Sequence, residues 1–531
     1  MSVSGAASGG GAFERTTTAA VEEKAKLQKH FGRFDMFFFL VCTLVGLDTI
    51  GAVASNGAQG FTWLIFLVPV FFIPYALLTS ELGSTFTEEG GPYVWTKLAL
   101  GRFAGGVNAI IYWISNPIWL GGSLCITAVA TFNSFFTNLG NWQYVFGLAF
   151  IWISVWAAIL SFGVGKWLPT IGAWGRMLVL SFFTATVVIY AIKHGVHGVH
   201  GGDFKPSYAV FIALVPVLFF NYVGFELPNA AGDEMKDPQK DVPFTVIRSA
   251  FMAVVLYGAP ILAILLVLPL SQVSSLGGFI DAIKTVFTVY GGHVGATPDQ
   301  TVLTGAGKVI GDIAAIGFIF ALMSSGATWI MGADRAQAVA CYDGAGPRIL
   351  GQFSQRYGTP VAVNALSGII SSVFMILAFK LTNGSTAQYF SAALGLAIST
   401  TTIAYLAIFP ALYILRKKLP NVHRPYRAPF GDTGAFVISA LTFGWAALAT
   451  AALLWPGLGQ ADPDSSLPSG FAPVVDSAGK VTHAAQRWQY EVSQFVPLAV
   501  IITLGVVFYA LGAPTRRKEV TVPLQTAVAA D

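Results

Sequence analysis

Apolar stretches of about 20 residues recur along the chain, separated by shorter polar segments, and this is the length that a membrane-spanning helix needs. Lipid offers no hydrogen-bond partners to backbone N–H and C=O groups, so each stretch must be helical to satisfy them internally. The pattern predicts twelve transmembrane helices and therefore an all-α integral membrane protein. They are placed at residues 36–57, 61–86, 104–135, 142–162, 168–192, 208–231, 244–269, 306–333, 359–379, 387–415, 434–455 and 492–512.

The composition also favours a membrane protein. Of the 531 residues, 55% are hydrophobic and only 11% are charged, whereas a soluble protein would carry roughly a quarter charged residues. The net charge of +4 is small and no basic patch contains interleaved aromatic residues, so nucleic acid is not expected as a partner. The three cysteines are widely separated and complete no metal-ligand spacing, so the sequence predicts neither a metal ion nor a cofactor.

The distribution of lysine and arginine predicts the orientation of the chain. With twelve helices both termini lie on one side, and that side carries 23 of the 30 basic residues, against 7 on the other. Cytoplasmic loops are the ones that carry such an excess. Both termini are therefore predicted to be cytoplasmic, in a multi-pass protein of the cell membrane, and the N-terminal tail is expected to be disordered with a short amphipathic stretch.

Two acidic residues interrupt apolar spans at related positions. Asp48 ends a VGLD sequence within the first span, and Glu226 ends a VGFE sequence within the sixth. A residue that disfavours helix follows each of them, Gly51 in the first span and Pro228 in the sixth. An ionised carboxylate inside a bilayer costs at least a few kcal/mol, so intramembrane acids usually have a functional role.

These matching positions predict an inverted repeat. If spans one to five and six to ten are equivalent, the odd number of spans makes the second repeat enter the membrane from the opposite face. In such transporters the first helix of each repeat is broken near mid-membrane, and its free backbone groups bind the substrate. The predicted fold is a 5+5 inverted repeat with broken helices 1 and 6, followed by two C-terminal helices. The predicted parts are a cytoplasmic N-terminal tail (1–34), a transport core (35–430, with repeats at about 36–192 and 208–415), two accessory helices with an extracellular loop (431–512) and a cytoplasmic C-terminal tail (513–531).

Three stretches resemble the amino acid–polyamine–organocation permeases. They are Glu81-Leu82-Gly83 followed by FTEEGGPYVWTKLALG, the sixth-span sequence FFNYVGFELPNAAGDEMKDPQKDVP, and the segment from Arg335 through Cys341-Tyr342-Asp343-Gly344 to Thr359-Pro360. The stretches occur in the family's order, and the resemblance covers most of residues 36–430. It implies the same five-plus-five fold with two extra helices. It also implies sodium-independent transport of an amino acid or polyamine, by proton symport or by exchange.

Two departures from the family pattern concern the substrate and the coupling. Many members carry a Gly-Ser-Gly-like turn in span one that receives a substrate carboxylate, whereas residues 46–51 read GLDTIG here. An acid in this turn is closer to the polyamine-transporting branch, whose first span has a Gly-Val-Glu-like turn. Some proton-coupled relatives place a lysine in span five, where this chain has only Arg176, expected near the cytoplasmic end. Proton coupling is therefore expected to use Asp48 or Glu226.

The predicted substrate site combines the two helix breaks with polar residues of other spans. Asp48 would hold the ammonium of the substrate, and Glu226 would hold a second positive group or carry the coupled proton. Tyr222, four residues before Glu226, would face the same cavity. Asn116 would face the cavity or bond a neighbouring helix, and Ser325 would contact substrate or permit close helix packing. The predicted substrate-binding residues are Gly46, Asp48, Thr49, Ile50, Gly51, Asn116, Tyr222, Val223, Gly224, Phe225, Glu226 and Ser325.

The sequence thus predicts a secondary transporter of amino acids or related amines, coupled to protons and working by alternating access. A polyamine (putrescine/spermidine) transporter and an amino acid/amine exchanger remain open as alternatives. An intramembrane enzyme would need a nucleophile–base pair or a metal set at mid-depth, and no span contains one. A sensor that binds the ligand without transporting it is a further alternative. The expected partners are the substrate, protons and the lipid bilayer, and the protein would be a monomer or a homodimer.

Overall fold

The computed structural model describes residues 13–160, 165–196, 199–268, 278–295, 300–381, 386–475 and 481–523; residues 1–12 and 524–531 of the predicted tails lie outside this range. Ten helices in the described residues are long and apolar enough to cross a membrane, as expected for an all-α multi-pass membrane protein. In chain order the helices are α1 (Thr18–Lys24), α2 (Arg33–Leu44), α3 (Ile50–Ala54), α4 (Gly57–Thr85), α5 (Pro92–Leu100), α6 (Arg102–Phe135), α7 (Gly140–Ile159), α8 (Trp167–His194), α9 (Tyr208–Phe220), α10 (Pro238–Val267), α11 (Gly278–Phe287), α12 (Gly305–Ala345), α13 (Val361–Lys380), α14 (Gln388–Lys418), α15 (Gly431–Leu454), α16 (Arg487–Leu511) and α17 (Ala513–Arg516). The strands are β1 (Phe13–Thr17), β2 (Gly292–His293), β3 (Val302–Leu303), β4 (Val474–Val475), β5 (Val481–His483) and β6 (Glu519–Pro523).

The predicted first and sixth spans do not form continuous helices. α2 ends at Leu44 and α3 begins at Ile50, so the backbone between them is unwound. α9 ends at Phe220 and is followed by a 3-10 helix only at Leu227–Glu234. Each unwound stretch contains one of the intramembrane acids. Since a broken helix frees backbone N–H and C=O groups inside the membrane, partners for those groups must come from neighbouring elements.

Gly224 explains why the second break needs a glycine. Its φ of 122° lies in the left-handed region, which side chains with a Cβ rarely adopt. A Cβ at this position would also come 2.4 Å from Cγ2 of Thr43, on α2. The two broken segments therefore touch at a point where no larger residue would fit.

The ten other predicted spans coincide with helices to within several residues at both ends, except at the C-terminal end of the eighth span. The prediction ends the eighth span at residue 333 because charged residues follow, but α12 continues to Ala345. Asp334, Arg335 and Gln337 are buried inside this helix rather than exposed beyond it. A hydropathy pattern cannot distinguish a polar residue that ends a span from one that faces a polar interior. The total of twelve spans and the inverted-repeat arrangement stay predictions.

The long helices enclose the broken segments. α6 packs against α12 and α14, while α10 packs against α2 and α4. α2 in turn contacts α8 and α12. Because helices approach from several directions, Val45, Leu47 and Ile50 at the first break are buried.

The two tails meet in a small antiparallel ribbon, in which β1 pairs with β6. Both tails therefore lie at one face of the helix bundle, which we call the tail side. The Thr16 hydroxyl donates to Asp343 Oδ1 at 3.0 Å, and the Thr17 hydroxyl donates to the Tyr342 carbonyl at 2.6 Å. The expectation of a disordered N-terminal tail does not hold from residue 13 onwards, because its polar side chains find partners at the end of α12.

The loop between α15 and α16, predicted at residues 457–490 and ended by the start of α16 at Arg487, has more structure than its composition suggests. Its described part contains the β4–β5 hairpin. Leu467 and Phe471 are buried against Tyr490 at the start of α16. The sequence gives little indication of this packing because the loop has few apolar residues and no regular period.

Docking of the N-terminal tail should depend on pH through Glu14. Burial raises the pKa of Glu14 from its ordinary 4.5 to about 7, although Lys97 Nζ lies 3.5 Å from its carboxylate. Between about pH 4.5 and about pH 7, Glu14 is protonated when the tail is docked and ionised when the tail is detached. Docking therefore weakens as the pH rises through this range and changes little above it. We expect a nitroxide spin label on β1 to become more mobile across this window.

The matched variants separate Glu14 from other titrating groups. Glu14→Gln is neutral at every pH, so the label should then report the same mobility from about pH 5 to about pH 8. Glu22→Gln changes an exposed acid that lies 3.6 Å from Arg348, and it should keep the wild-type pH dependence. Equal mobility of the label at both pH values in the wild type would contradict the role of Glu14.

Candidate functional site: the two helix breaks

Asp48 lies in the first break with one carboxylate oxygen bonded and the other free. Trp119 Nε1 donates to Oδ2 at 2.9 Å, and the Ser123 hydroxyl donates to the same oxygen at 3.2 Å; both residues belong to α6. Oδ1 is buried and receives no hydrogen bond from any described residue. A buried acceptor without a donor is costly, so this oxygen is available to a ligand.

A cavity of about 10 Å³ lies beside Asp48, with room for about one water molecule. Aromatic rings form much of its wall: the Trp119 ring lies 5.7 Å from that of Phe220 and 6.1 Å from that of Trp329, between centroids. Asn221 also lines the cavity. The site is therefore closed in this conformation, and it has the aromatic surroundings that attract a cation.

The backbone of the first break is partly satisfied by the protein's own side chains. The Gly46 N–H donates to the Tyr257 hydroxyl, on α10, at 2.7 Å. The Thr49 hydroxyl donates to the Gly46 carbonyl at 3.2 Å. Gly46 and Thr49 both line the cavity, but these groups are already bonded. The Asp48 carboxylate is consequently the strongest open binding group at this break.

Arg176 bonds the unwound end of α2 from the side. Its guanidinium is fully buried and donates to the carbonyls of Cys42 and Val45 at 2.7 and 2.6 Å. It also donates to the Ala321 carbonyl and the Ser325 hydroxyl on α12, at 3.1 and 3.0 Å. The expected position near the cytoplasmic end of span five is therefore wrong. The sequence does not reveal this position, because the Cys42 and Val45 carbonyls are free to accept only where α2 is broken.

Glu226, in the second break, has a different environment. The hydroxyls of Tyr112 and Tyr405 donate to Oε1 at 2.6 and 2.7 Å, and the Tyr75 hydroxyl donates to Oε2. These tyrosines come from α6, α14 and α4, so one carboxylate joins the broken segment to three other helices. Glu226 is fully buried and does not line the cavity beside Asp48. The structure does not bring the two acids into one cavity.

The other predicted residues of the second break pack rather than line this cavity. The Tyr222 hydroxyl donates to the Leu64 carbonyl at 3.1 Å, away from Glu226. The expected four-residue spacing on one helical face does not apply, because α9 ends before Tyr222. Phe225 stacks on Phe72 at 4.9 Å between ring centroids, and its N–H and that of Gly224 donate to the Tyr75 hydroxyl. Val223 is buried in the apolar core.

The remaining predicted site residues also have structural partners. Asn116 donates to the Tyr112 carbonyl at 3.3 Å, within its own helix. A Cβ on Gly51 would come 2.9 Å from Gly278 Cα, so this glycine permits α3 to approach α11. Ile50 is buried in the core. Ser325 accepts from Arg176 at the first break, as described above.

Sequence reasoning missed most partners of the acids. Tyr75, Tyr112 and Tyr257 are aromatic residues with a polar tip inside apolar spans, and each uses that tip on a broken segment. Buried tyrosines of this kind usually need a hydrogen-bond partner, and this need is the feature of the sequence that could have pointed to contacts with the broken segments. A third buried acid, Asp334, accepts from Trp113 Nε1 at 2.8 Å, and its Oδ2 has no partner among the described residues.

The tail side is closed by ion pairs. Arg335, on α12, pairs with Glu89 at 3.1 Å and with Glu234, and all three are buried. Burial raises the pKa of Glu89 even though Arg335 opposes the shift. Lys24 of the docked tail pairs with Glu88 at 2.6 Å. These contacts join α1, α12 and the segments that follow α4 and the second break.

On the opposite side, a cavity of about 310 Å³ lies between α3, α9 and α14, beneath the loop that precedes α16. Asn56, Leu214 and Ile398 line this cavity together with Ser466 of the loop. A ligand approaching from this side would therefore meet the first break before it met the ion pairs of the tail side.

Comparison with known proteins agrees with this architecture. A model of the amino acid permease family matches residues 31–468. The probable agmatine/putrescine antiporter AguD of Lactococcus lactis subsp. lactis (strain IL1403) is 25% identical over 409 residues, which cover 76% of this chain and 84% of that protein. The branched-chain amino acid permease BcaP of Bacillus subtilis (strain 168) is 23% identical over 442 residues, covering 77% and 86%. The glutamate/gamma-aminobutyrate antiporter of the same Lactococcus strain is 22% identical over 432 residues, covering 78% and 80%.

The family match covers far more than half of the chain. Broken helices with intramembrane acids define a permease-type membrane transporter, and the chain belongs to the amino acid permease family, within the amino acid–polyamine–organocation superfamily. It is a transporter and not an enzyme, since the family and the similar proteins are permeases and antiporters.

Proposed function

We propose that this transporter carries a small cationic amine, with polyamines and related carboxylate-free amines preferred over zwitterionic amino acids. The observation that carries the proposal is the buried, unbonded Oδ1 of Asp48 beside an aromatic-walled cavity. A substrate ammonium bound there would donate to the carboxylate and lie near the Trp119 and Trp329 rings, which favour a cation. A substrate carboxylate at the same point would be repelled by Asp48.

The relatives support an amine while leaving amino acids as the second candidate. The antiporter AguD is named for agmatine and putrescine, which are carboxylate-free amines, and BcaP is named for branched-chain amino acids. At about one quarter identity neither name fixes the substrate of this chain. The acid in the first break is the feature that favours the first candidate.

We propose that Glu226, rather than Asp48, carries the coupled proton. Its oxygens accept from hydroxyls of Tyr75, Tyr112 and Tyr405 on three helices. A proton on Glu226 would turn one acceptor into a donor while all three hydroxyls still need acceptors, so the broken segment would loosen from these helices. Arg176 cannot serve as the proton carrier because its guanidinium stays charged.

The proposed orientation places the tail side in the cytoplasm, in a transporter of the cell membrane that works by alternating access. The predicted spans place 23 of the 30 basic residues on the terminal side, and 22 remain there when Arg176 is assigned to the first break, which supports this orientation. In the described conformation the ion pairs of Arg335 would then close the cytoplasmic path, while the 310 Å³ cavity would face outside. We expect transport without sodium, since the Arg176 guanidinium already bonds the Cys42 and Val45 carbonyl oxygens at the first break.

The test is uptake by proteoliposomes with an inside-alkaline pH gradient. The panel contains putrescine, spermidine and agmatine, together with lysine, leucine and glutamate. We expect the carboxylate-free amines to be taken up in preference. Preferential uptake of leucine or glutamate would contradict the amine proposal.

A second arm tests the coupling. Vesicles preloaded with unlabelled substrate and lacking a gradient measure exchange, and empty vesicles with a gradient measure proton-driven uptake. Glu226→Gln should abolish the stimulation by the gradient while leaving exchange in place. Stimulation that survives this substitution would exclude Glu226 as the proton carrier.

A further inference from the structure

Asn221 is the second open polar group at the cavity beside Asp48. It follows the last residue of α9 directly, and its side chain is 2% exposed. Neither its Oδ1 nor its Nδ2 has a hydrogen-bond partner among the described residues. Buried amides are normally bonded, and an unbonded one is usually explained by a missing ligand or water.

The other polar groups around this cavity are already in use. The Tyr257 hydroxyl accepts from Gly46, and the Thr49 hydroxyl donates to the Gly46 carbonyl. Trp329 Nε1 donates to the Thr43 carbonyl at 3.2 Å. Among the described side chains that line this space of about 10 Å³, the polar atoms left without a partner are therefore one carboxylate oxygen of Asp48 and the amide of Asn221.

We infer that Asn221 completes the amine site by accepting a second hydrogen bond from the substrate's ammonium through Oδ1. This rests on the proposed function, in which Asp48 Oδ1 accepts the first. An unsubstituted ammonium is close to a water molecule in size and has three N–H donors, so it fits both the volume and the two acceptors. The amide Nδ2 is left for a water molecule or for an acceptor farther along the substrate.

The site is therefore selective for a primary amine. N-methylation removes a donor from the head and adds a methyl group to a space that holds about one water molecule. A secondary ammonium can still satisfy both acceptors but must fit its methyl group against the aromatic wall. A tertiary ammonium has a single N–H and must leave Asn221 or Asp48 unbonded.

The experiment compares the binding of putrescine with that of its N,N′-dimethyl and N,N,N′,N′-tetramethyl derivatives, by competition against labelled putrescine on the full-length protein. Both ends are methylated because a putrescine modified at one end can still bind through its other, primary ammonium. For the wild type we expect the tetramethyl derivative to bind more weakly by about tenfold or more, since a hydrogen bond to a charged group is lost. In Asn221→Leu, putrescine should weaken by about tenfold, and the penalty for tetramethylation should shrink to about threefold or less.

Two further variants make the result specific to Asn221. Asn221→Asp keeps an acceptor at the same place and should retain a wild-type penalty for methylation, which also covers the case in which the leucine variant does not fold. Asn364→Leu alters another buried asparagine, whose amide donates to the Ala158 carbonyl at 3.1 Å on α7. This control should leave the penalty unchanged.

The outcomes separate the inference from the proposal on which it rests. A folded Asn221→Leu protein that keeps the full methylation penalty would overturn the role of Asn221, although amine transport would stand. A wild type that binds none of the amines would overturn the proposed function and the inference together. A reduced penalty in Asn221→Leu, with the penalty kept in Asn221→Asp, supports the inference.

Discussion

Asp48→Asn is expected to weaken amine binding on the order of 100-fold, equivalent to about 3 kcal/mol. The substitution keeps the size of the side chain and an oxygen that can accept from Trp119 and Ser123, so the first break should keep its shape. What it removes is the negative charge opposite the substrate's ammonium. In a buried site that charge cannot be replaced by solvent, so the loss should appear as a higher Kd rather than as unfolding.

The measurement is equilibrium binding of putrescine or agmatine to purified protein, together with thermal unfolding of the same samples. Asp312→Asn is the matched control, because Asp312 is an acid on the spanning helix α12 that pairs with Lys308 at 2.5 Å, away from the cavity. It should bind amines like the wild type. If Asp48→Asn binds amines with unchanged Kd, Asp48 is not the ammonium site and its free oxygen needs another explanation.

The helix breaks could be predicted from sequence because their causes are local. A glycine beside an acid inside an apolar run is a poor continuation of a helix, and this pattern occurs before both Asp48 and Glu226. The structure unwinds at both places. At Gly224 there is a second cause that the local sequence does not show. Thr43 of α2 approaches this glycine so closely that a side chain would not fit.

The partners of the acids could not be predicted in the same way. Trp119 and Tyr405 lie far from the acids along the chain, and the rotation of each helix about its axis decides which side chains face the breaks. Hydropathy gives the extent of a helix but not this rotation when the helix is apolar on all sides. The prediction that both acids share a cavity fails for this reason, because Glu226 faces three tyrosines instead.

Local rules fail where the regular structure to which they apply is absent. Tyr222 and Glu226 are four residues apart, a spacing that brings side chains together only on a continuous helix. The chain is unwound between them, so Tyr222 turns to Leu64. The prediction for Arg176 fails because the carbonyls of Cys42 and Val45, to which it donates, are free only where α2 is unwound at the first break.

Arg176→Met is expected to destabilise the protein by about 3 kcal/mol and to reduce transport more than tenfold. Removing the guanidinium relieves the cost of burying a charge, which favours the variant. However, it leaves the carbonyls of Cys42 and Val45 at the first break without this donor in a buried place, at about 1–3 kcal/mol each. The second effect is larger because both oxygens are affected by the loss of one side chain.

A lysine variant shows whether the first break is stabilised by the positive charge of Arg176 or by the number of its hydrogen bonds. Arg176→Lys keeps a positive charge but has one nitrogen, which cannot reach both the unwound end of α2 and α12 in the way that the planar guanidinium does. We therefore expect the Tm to fall in the order wild type, Arg176→Lys, Arg176→Met. Arg248→Met, on α10, alters an arginine that donates to the Phe244 carbonyl of its own helix, and it should change the Tm little. If Arg176→Lys and the wild type unfold at the same temperature, the charge alone supports the first break, and the several hydrogen bonds from Arg176 to α2 and α12 add little.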